Sequence, residues 1–129
     1  MATVGVGVDV VDVARFALVI ERRPGLLARL FTDAERRDAG SRPERLAVRF
    51  AAKEAVLKSM SVGLGAASWR SIEVRRDQSG APHVRLHADA ASLAERLGVE
   101  RLHVSLSHTA STAVAFVVAS STPERSRGG

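Results

Sequence analysis

Two carboxylates and two lysines are the residues of this sequence best suited to carry chemistry. Asp9 lies in a valine-rich segment near the start, and Glu54 lies between Lys53 and Lys58 in the middle of the chain. Carboxylates from two separate elements suit Mg²⁺, which takes one or two carboxylates together with waters and substrate phosphates. The two lysines would neutralise phosphate. The pattern predicts a magnesium site that binds a phosphorylated substrate.

Asp9 is predicted to lie on a bare face of a β-strand over residues 3–11. Side chains alternate along a strand, so one face carries only valines and the other carries two glycines beside Asp9. The two faces are Val4, Val6, Val8 and Val10, and Gly5, Gly7, Asp9 and Val11. A carboxylate in apolar surroundings is costly unless it is paired or bound to metal, and glycines leave a ligand room to approach. The alternative, an aspartate that caps the next helix, is weaker because Asp12 fills that position.

Glu54 belongs to a predicted long helix over residues 42–60, which begins at an S-x-x-E capping box. The members of its core stripe are Leu46, Phe50 and Leu57. Glu54 projects about 40° from Phe50, inside this stripe. The alternative is an ordinary surface pair of Glu54 with Lys58, which would contribute only about 0.3–0.5 kcal/mol. The position on the core stripe favours a metal ligand.

The same helix carries a second apolar side, formed by Val48, Ala52 and Val56. A surface helix is rarely apolar on two sides. We therefore expect this side to contact another subunit.

A third polar group ends the strand predicted over residues 102–107. His103, Ser105 and Ser107 share one face of that strand, and His108 follows at the turn. Hydroxyl groups and an imidazole suit phosphate binding or proton transfer, although a turn histidine more often has no special role. The sequence has no G-x-S-x-G elbow and no P-loop, so it gives no support to a serine hydrolase or a Walker NTPase.

The remaining pattern predicts the elements that position these residues. Strands are expected at 3–11, 71–76, 83–87, 102–107 and 112–119, and helices at 13–23, 26–31, 33–39, 42–60 and 89–97. Strands come early and late, with a helical block between them. This order indicates a single small α+β domain over residues 1–120, with an antiparallel sheet and a long central helix. Residues 121–129 are polar and rich in Pro and Gly, and we expect them to be a disordered tail.

Composition limits the classes of function. The chain has 129 residues and no cysteine, which excludes disulfides and thiolate metal sites. We see no signal peptide and no apolar run long enough to span a bilayer, so we expect a cytoplasmic protein that binds no membrane. A net charge of +5 favours an anionic partner, but aromatic residues make up only 4%, which argues against nucleic acid.

The choice of basic residue is ambiguous. Only two of the 19 basic residues are lysines, and both fall within six residues. Lysine and arginine differ in geometry, hydration and pKa behaviour, so the choice can be functional. An arginine-biased composition that left two lysines by chance explains the same count equally well.

Together these motifs resemble the holo-acyl-carrier-protein synthase family of phosphopantetheinyl transferases. The matching segments, in the family's order, are GVGVDVVDVAR at 5–15, RFAAKEAVLK at 49–58, IEV at 72–74, DQSGAP at 77–82 and VSLSH at 104–108. The F-x-x-K-E-A-x-x-K block is the most specific of them. The resemblance implies an α+β homotrimer with active sites at subunit interfaces. It also implies transfer of phosphopantetheine from coenzyme A to a serine of an apo acyl carrier protein.

The resemblance implies a role for each candidate residue. Asp9 and Glu54 match the Mg²⁺ ligands. The expected contacts with coenzyme A are Lys53, Lys58, Gly63, Ser107 and His108. The expected catalytic groups are Glu54, Lys58 and His108. For the acceptor of the serine proton, a metal-bound water or a nearby carboxylate is a stronger candidate than His108. The expected carrier-protein docking residues are Arg15, Arg22 and Arg23, because Arg15 matches a basic residue on the docking helix.

The sequence departs from the family directly after Lys58. Residues 59–65 read SMSVGLG, where the family has a small residue, an apolar residue and Gly-Thr-Gly. Two other classes of function stay open. The changed loop favours a catalytically silent paralogue that binds carrier protein, which the intact Asp9 and Glu54 pair opposes. A basic nucleic-acid-binding domain is opposed by the few aromatics. The sequence does not distinguish a carrier protein of fatty acid synthesis from one of polyketide synthesis.

Overall fold

The computed structural model describes residues 2–122 and contains the predicted strands and helices. The strands are β1 (Ala2–Asp12), β2 (Ile72–Arg76), β3 (Pro82–Leu86), β4 (Arg101–His108) and β5 (Thr112–Ser121). The helices are α1 (Val13–Arg22), α2 (Leu26–Leu30), α3 (Asp33–Ala39), α4 (Pro43–Ser59) and α5 (Ala88–Leu97). Of the predicted tail, residues 123–129 lie outside the described residues, and β5 extends to Ser121.

The five strands form two antiparallel sheets. One sheet has the order β1-β5-β4, and β2 pairs with β3 in a separate hairpin. In the larger sheet Asp9 lies beside Ala115 of β5, which in turn lies beside Leu106 of β4. β1 and β4 are therefore the two edges of this sheet. None of the described helices is long and apolar enough to cross a membrane.

Helix α4 is the centre of the core. Its apolar residues join two clusters, one with β2, α5 and β5 and the other with α1, α2 and α3. Small residues permit the close approach, and Ala47, Ala51, Ala52 and Ala55 are all fully buried. The helix is thus buried on most of its circumference, which explains why it is apolar on more than one side.

The start of α4 differs from the prediction. Arg42 is the N-cap residue and makes no side-chain capping bond, so the expected capping box of Ser41 and Glu44 is wrong. Pro43 in the first turn sets the start instead, because its fixed φ is already helical. A capping box does begin α3, where Thr32 and Glu35 bond reciprocally.

The second apolar side of α4 does not face another subunit. Val48 is 1% exposed, and Ala52 and Val56 are fully buried. Ala52 and Val56 pack in the same cluster as Ile72 and Val74 of β2. The expectation of a subunit contact on this side is therefore wrong, because the chain covers it with its own β2–β3 hairpin and with α1.

A different apolar surface is exposed. The valines of β1 that alternate with the glycine face are exposed by 41%, 56%, 52% and 63% at Val4, Val6, Val8 and Val10. Phe116 of β5 pairs with Val8 and is 45% exposed. We call this surface, defined by these five residues, the open sheet face.

Candidate active site

Two glycines bring β1 into direct backbone contact with α4. A Cβ atom added to Gly7 would lie 2.0 Å from the carbonyl oxygen of Ala55, and one added to Gly5 would lie 2.1 Å from that of Ser59. The bare face of β1 therefore admits the helix backbone and leaves no room there for a ligand, which corrects the sequence interpretation. Asp9 is two residues after Gly7, on the same face of β1, and Glu54 directly precedes Ala55 on α4. The contact of Gly7 with Ala55 therefore brings the carboxylates of Asp9 and Glu54 close together.

Gly7→Ala should disrupt this contact. The new methyl group would overlap backbone atoms, which cannot rotate away, so α4 must move off β1. We expect a loss of about 3 kcal/mol in the free energy of unfolding, measured by urea denaturation. Gly63→Ala is the matched control, since nothing lies within 4 Å of a Cβ atom at Gly63. Equal stability of the two variants would contradict the close packing.

Asp9 has one bonded and one unbonded carboxylate oxygen. Lys58 Nζ donates to Asp9 Oδ1 at 2.8 Å and to the carbonyl oxygen of Val8 at 3.0 Å. The hydrogen bond to Asp9 is the main cause that raises the pKa of Lys58 above its usual value. Asp9 Oδ2 is buried and has no hydrogen-bond partner. A buried, unbonded carboxylate oxygen is unfavourable unless another ligand completes it.

Glu54 lies close enough to Asp9 for the two carboxylates to interact. Burial, and secondly repulsion by the carboxylate of Asp9, raise the pKa of Glu54 to about 7, and the charge of Lys58 opposes this shift in part. Two carboxylates that repel each other favour either a shared proton or a cation between them.

The pair fits a magnesium ion. No group of three or more His, Cys, Asp or Glu residues is clustered within residues 2–122, so a cage made entirely of protein side chains is absent from that range. Mg²⁺ does not need one, because it keeps waters and binds substrate phosphates beside one or two carboxylates. The unbonded Asp9 Oδ2 and the neighbouring Glu54 supply hard oxygen ligands of this kind.

Lys53 does not belong to this site, which corrects its prediction as a cofactor contact. Its side chain is fully buried and its Nζ atom lies 2.8 Å from Glu35 Oε1. Lys53 also donates to the carbonyl oxygen of Trp69 at 2.9 Å and to that of Ile72. No donor remains for a ligand, since an ammonium group has three.

His108 lies in a second, basic site. It lines a pocket of about 260 Å³ together with Arg45, Arg49, Arg76 and Asp38. Arg49 is only 3% exposed, and its Nε atom has no hydrogen-bond partner. Burial, and secondly the charge of Arg76, lowers the pKa of Arg49. A pocket with this excess of positive charge suits an anion such as phosphate.

Sequence reasoning missed the three arginines of this pocket. They come from α4 and from the end of β2, and only the fold brings them to His108. One signal was present: Arg49 interrupts an otherwise apolar run between Val48 and Phe50. A buried arginine in a helix core needs an anion or acceptors nearby.

The other predicted residues lie on exposed surfaces. Ser107 pairs with Val114 on the side of the sheet opposite Asp9, and Gly63 lies in the exposed loop after α4. In that loop Ser61 has a φ of 58°, which is unfavourable for a residue with a side chain. Arg15, Arg22 and Arg23 are all exposed on or just after α1.

Comparison with known proteins agrees with this arrangement. Residues 5–117 match the family model of the 4′-phosphopantetheinyl transferase superfamily. A holo-[acyl-carrier-protein] synthase of Clavibacter michiganensis is 54% identical over 115 residues, covering 88% of this chain and 92% of that protein. A holo-[acyl-carrier-protein] synthase of Frankia alni is 51% identical over 121 residues, covering 94% of this chain and 100% of that protein. The structure of the Helicobacter pylori holo-[acyl-carrier-protein] synthase in complex with coenzyme A is 29% identical in sequence, with a TM-score of 0.82. The match covers 89% of this chain and 99% of that one.

The chain therefore belongs to the 4′-phosphopantetheinyl transferase superfamily, and its relatives place it among the holo-[acyl-carrier-protein] synthases. The resemblance predicted from the motifs is confirmed. So is the predicted α+β fold, since the solved structures of this family superimpose on nearly the whole chain.

Proposed function

We propose that this chain transfers the 4′-phosphopantetheine arm of coenzyme A to a serine of an apo acyl carrier protein, with Mg²⁺ held by Asp9 and Glu54. The observation that carries the metal assignment is the buried, unbonded Asp9 Oδ2 beside the carboxylate of Glu54. The Helicobacter pylori relative with bound coenzyme A supports the choice of donor substrate.

The reaction forms one P–O bond and breaks another. As the serine oxygen attacks the β-phosphorus of coenzyme A, its proton passes to a water molecule or a nearby carboxylate. Adenosine 3′,5′-bisphosphate leaves with the electrons of the pyrophosphate bond. Phosphoryl transfer depends mainly on positioning and on neutralising charge at the leaving oxygen. Mg²⁺ supplies most of that neutralisation when bound. Asp9 and Glu54 would hold the ion, and Lys58 adds a positive charge from its exposed position beside Asp9.

The basic pocket gives His108 a role other than proton transfer. Three arginines surround it, so we assign His108, Arg45, Arg49 and Arg76 to a phosphate group of coenzyme A. Asp9 and His108 lie on β1 and β4, the opposite edges of the sheet. Since the family resemblance implies active sites at subunit interfaces, we propose that a complete site combines the Asp9–Glu54 pair of one copy with the basic pocket of another.

A homotrimer would bring these two halves together, and the open sheet face is its proposed interface. Five exposed apolar side chains lie side by side on that face, and contiguous apolar surface of this kind marks an interaction site. Burying them against a second copy favours association through the hydrophobic effect.

Mass spectrometry tests the activity directly. The chain is mixed with coenzyme A, apo carrier protein and Mg²⁺, and we expect the carrier to gain the mass of phosphopantetheine. The same mixture with EDTA should show little gain. A carrier that binds the chain but keeps its apo mass would favour the silent paralogue, to which the changed loop with its unfavourable Ser61 backbone lends some support.

The carrier protein is proposed to dock on α1 through arginine. Reversing Arg15 and Arg22 to Glu should raise KM for the carrier by about tenfold or more, since steering and charge pairs are both lost. KM for coenzyme A should hardly change, because Lys58 and the carboxylates are untouched. Kinetics with each substrate varied in turn would measure both.

The matched control for this prediction reverses two exposed arginines elsewhere, Arg85 and Arg96, with the same change in net charge. Higher salt should partly mimic the Arg15 and Arg22 variant, because exposed charges are screened over about 8 Å at physiological ionic strength. An equal rise in KM for the control variant would show that only net charge matters, and docking on α1 would be wrong.

A further inference from the structure

A buried ion pair lies next to Glu54 on helix α4. Lys53 and Glu35 are both fully buried, with Nζ and Oε1 2.8 Å apart. The Lys53 ammonium group also donates to the carbonyl oxygens of Trp69 and Ile72. It therefore ties α4 to α3 and to the segment that enters β2.

The carboxylate of Glu35 is bonded just as fully. Its Oε1 accepts from the backbone N–H of Thr32 at 2.9 Å, and its Oε2 accepts from that of Val74 at 2.9 Å. Thr32 Oγ1 in turn donates to Glu73 Oε2 at 2.7 Å. All of these bonding partners are groups of the protein itself, so the network links α3, α4 and β2 to one another.

Stability alone is a weak reason for such a pair. Burying two charges carries a desolvation cost, and neutral side chains of similar volume often serve the fold equally well. The pKa of Lys53 is lowered by burial, which reflects this cost. A better reason is that the pair specifies one arrangement of the helices.

The residues of α4 that flank Lys53 in the core are mostly small and apolar. Ala51, Ala52 and Ala55 are fully buried, and β1 approaches the helix through the backbone of Gly5 and Gly7. Contacts between small apolar groups are favourable but not directional, so they resist rotation and sliding of the helix weakly. Hydrogen bonds are directional, and Lys53 makes three of them at this turn.

We propose that the Lys53–Glu35 ion pair is a positioning device, which fixes the rotation of α4 and thereby holds Glu54 against Asp9. Lys53 and Glu54 are adjacent and lie about 100° apart around the helix axis, so any rotation moves both. Both side chains are fully buried, so we expect neither to touch substrate or metal. The inference rests on the proposed metal site at Asp9 and Glu54.

Binding of Mn²⁺ alone, followed by electron paramagnetic resonance, tests the proposal without catalysis. The double variant Lys53→Met with Glu35→Gln removes both charges while keeping similar volumes. The variant leaves the carbonyl oxygens of Trp69 and Ile72 without their donor and one backbone N–H without its acceptor, so its unfolding temperature should fall. At temperatures where circular dichroism shows it folded, we expect its Mn²⁺ affinity to fall by about tenfold. A folded double variant with wild-type Mn²⁺ affinity would overturn the proposal.

Arg75→Gln is the matched control. It removes the ion pair of Arg75 with Asp38, which also joins β2 to α3 but leaves both side chains about one third exposed, at 33% and 34%. Its Mn²⁺ affinity should equal that of the wild type. A loss as large as that of the double variant would mean that any link between these elements suffices, and the specific role of Lys53 would be wrong.

Glu35→Asp keeps the proposal testable if the double variant does not fold. Aspartate retains the charge but withdraws the carboxylate by one methylene, so Lys53 must shift to follow it. We expect an intermediate Mn²⁺ affinity, about three times weaker than wild type; unchanged affinity would overturn the proposal. Glu54→Gln separates the two hypotheses: if it binds Mn²⁺ as well as the wild type, the metal site itself is wrong.

Discussion

Glu54→Gln should abolish phosphopantetheine transfer, with a fall in kcat on the order of a hundredfold or more. The substitution removes the charge of one proposed metal ligand and barely changes the volume of the side chain. Asp9→Asn should act in the same way. A discontinuous assay over a range of Mg²⁺ concentrations measures the effect, and wild-type rates in both variants at low Mg²⁺ would show that the metal assignment is wrong.

The same substitution should stabilise the metal-free protein at alkaline pH. The pKa of Glu54 is raised from an ordinary 4.5 to about 7 in the folded state. Between these values the folded chain holds a proton that the unfolded chain has released, so stability falls as pH rises through this window. Glutamine carries no charge and avoids the loss.

Thermal unfolding in EDTA provides the measurement. We expect Glu54→Gln to melt above the wild type at about pH 8, and the two to converge towards about pH 5, where Glu54 is protonated in the folded wild type. A variant that melts well below the wild type at both values would mean that Glu54 supports the fold rather than the reaction. Added Mg²⁺ should stabilise the wild type more than the variant, because it binds only the native carboxylate pair.

Val6→Glu with Val8→Glu should break the assembly and strongly reduce activity. Both valines are more than half exposed in the single chain, so the variant should still fold, as circular dichroism can confirm. At a subunit contact each substitution replaces apolar burial worth about 1 kcal/mol with a buried charge. If each site combines two copies, the loss of activity should be at least about tenfold.

Sedimentation velocity at micromolar concentration measures the oligomeric state in this experiment. We expect a trimer for the wild type and a monomer for the double variant. Leu97→Glu is the control, since Leu97 is an apolar residue 40% exposed on α5, away from the open sheet face. A wild-type monomer, or a double variant that remains assembled, would contradict the proposed interface.

Local patterns predicted the secondary structure well, because each signal depends on neighbouring residues. Asp12 caps α1 by accepting from the backbone N–H of Arg15 at 2.9 Å, as expected from its place before an amphipathic run. Gly98 ends α5 with a φ of 74°, where glycine lacks the steric cost of a Cβ atom. The alternation along β1 correctly separated the valine face from the face of Asp9.

Periodicity failed on α4, because it does not say what covers each side of a helix. The periodicity of Val48 and Val56 predicted a contact with another subunit, yet the β2–β3 hairpin and α1 of the same chain cover these two side chains. The valines of β1 had the opposite outcome: a strand that reads as buried carries the exposed apolar face. Which apolar side meets solvent depends on the order of elements in space.

The sequence alone determined the chemical types at the site, since Asp9, Glu54 and Lys58 stand at spacings that indicate a metal and a phosphate. Tertiary structure decided which of the two lysines is available. Lys53 and Lys58 are five residues apart on one helix. Lys53 is buried in an ion pair with Glu35, which lies 18 residues earlier in the chain, whereas Lys58 bonds to Asp9 at the proposed metal site. The basic pocket of His108 likewise depends on long-range packing. The alternation of apolar and polar residues depends on near neighbours in the sequence and can be read from it. The partner of a buried charge depends on which distant elements pack together, so only the tertiary structure defines it.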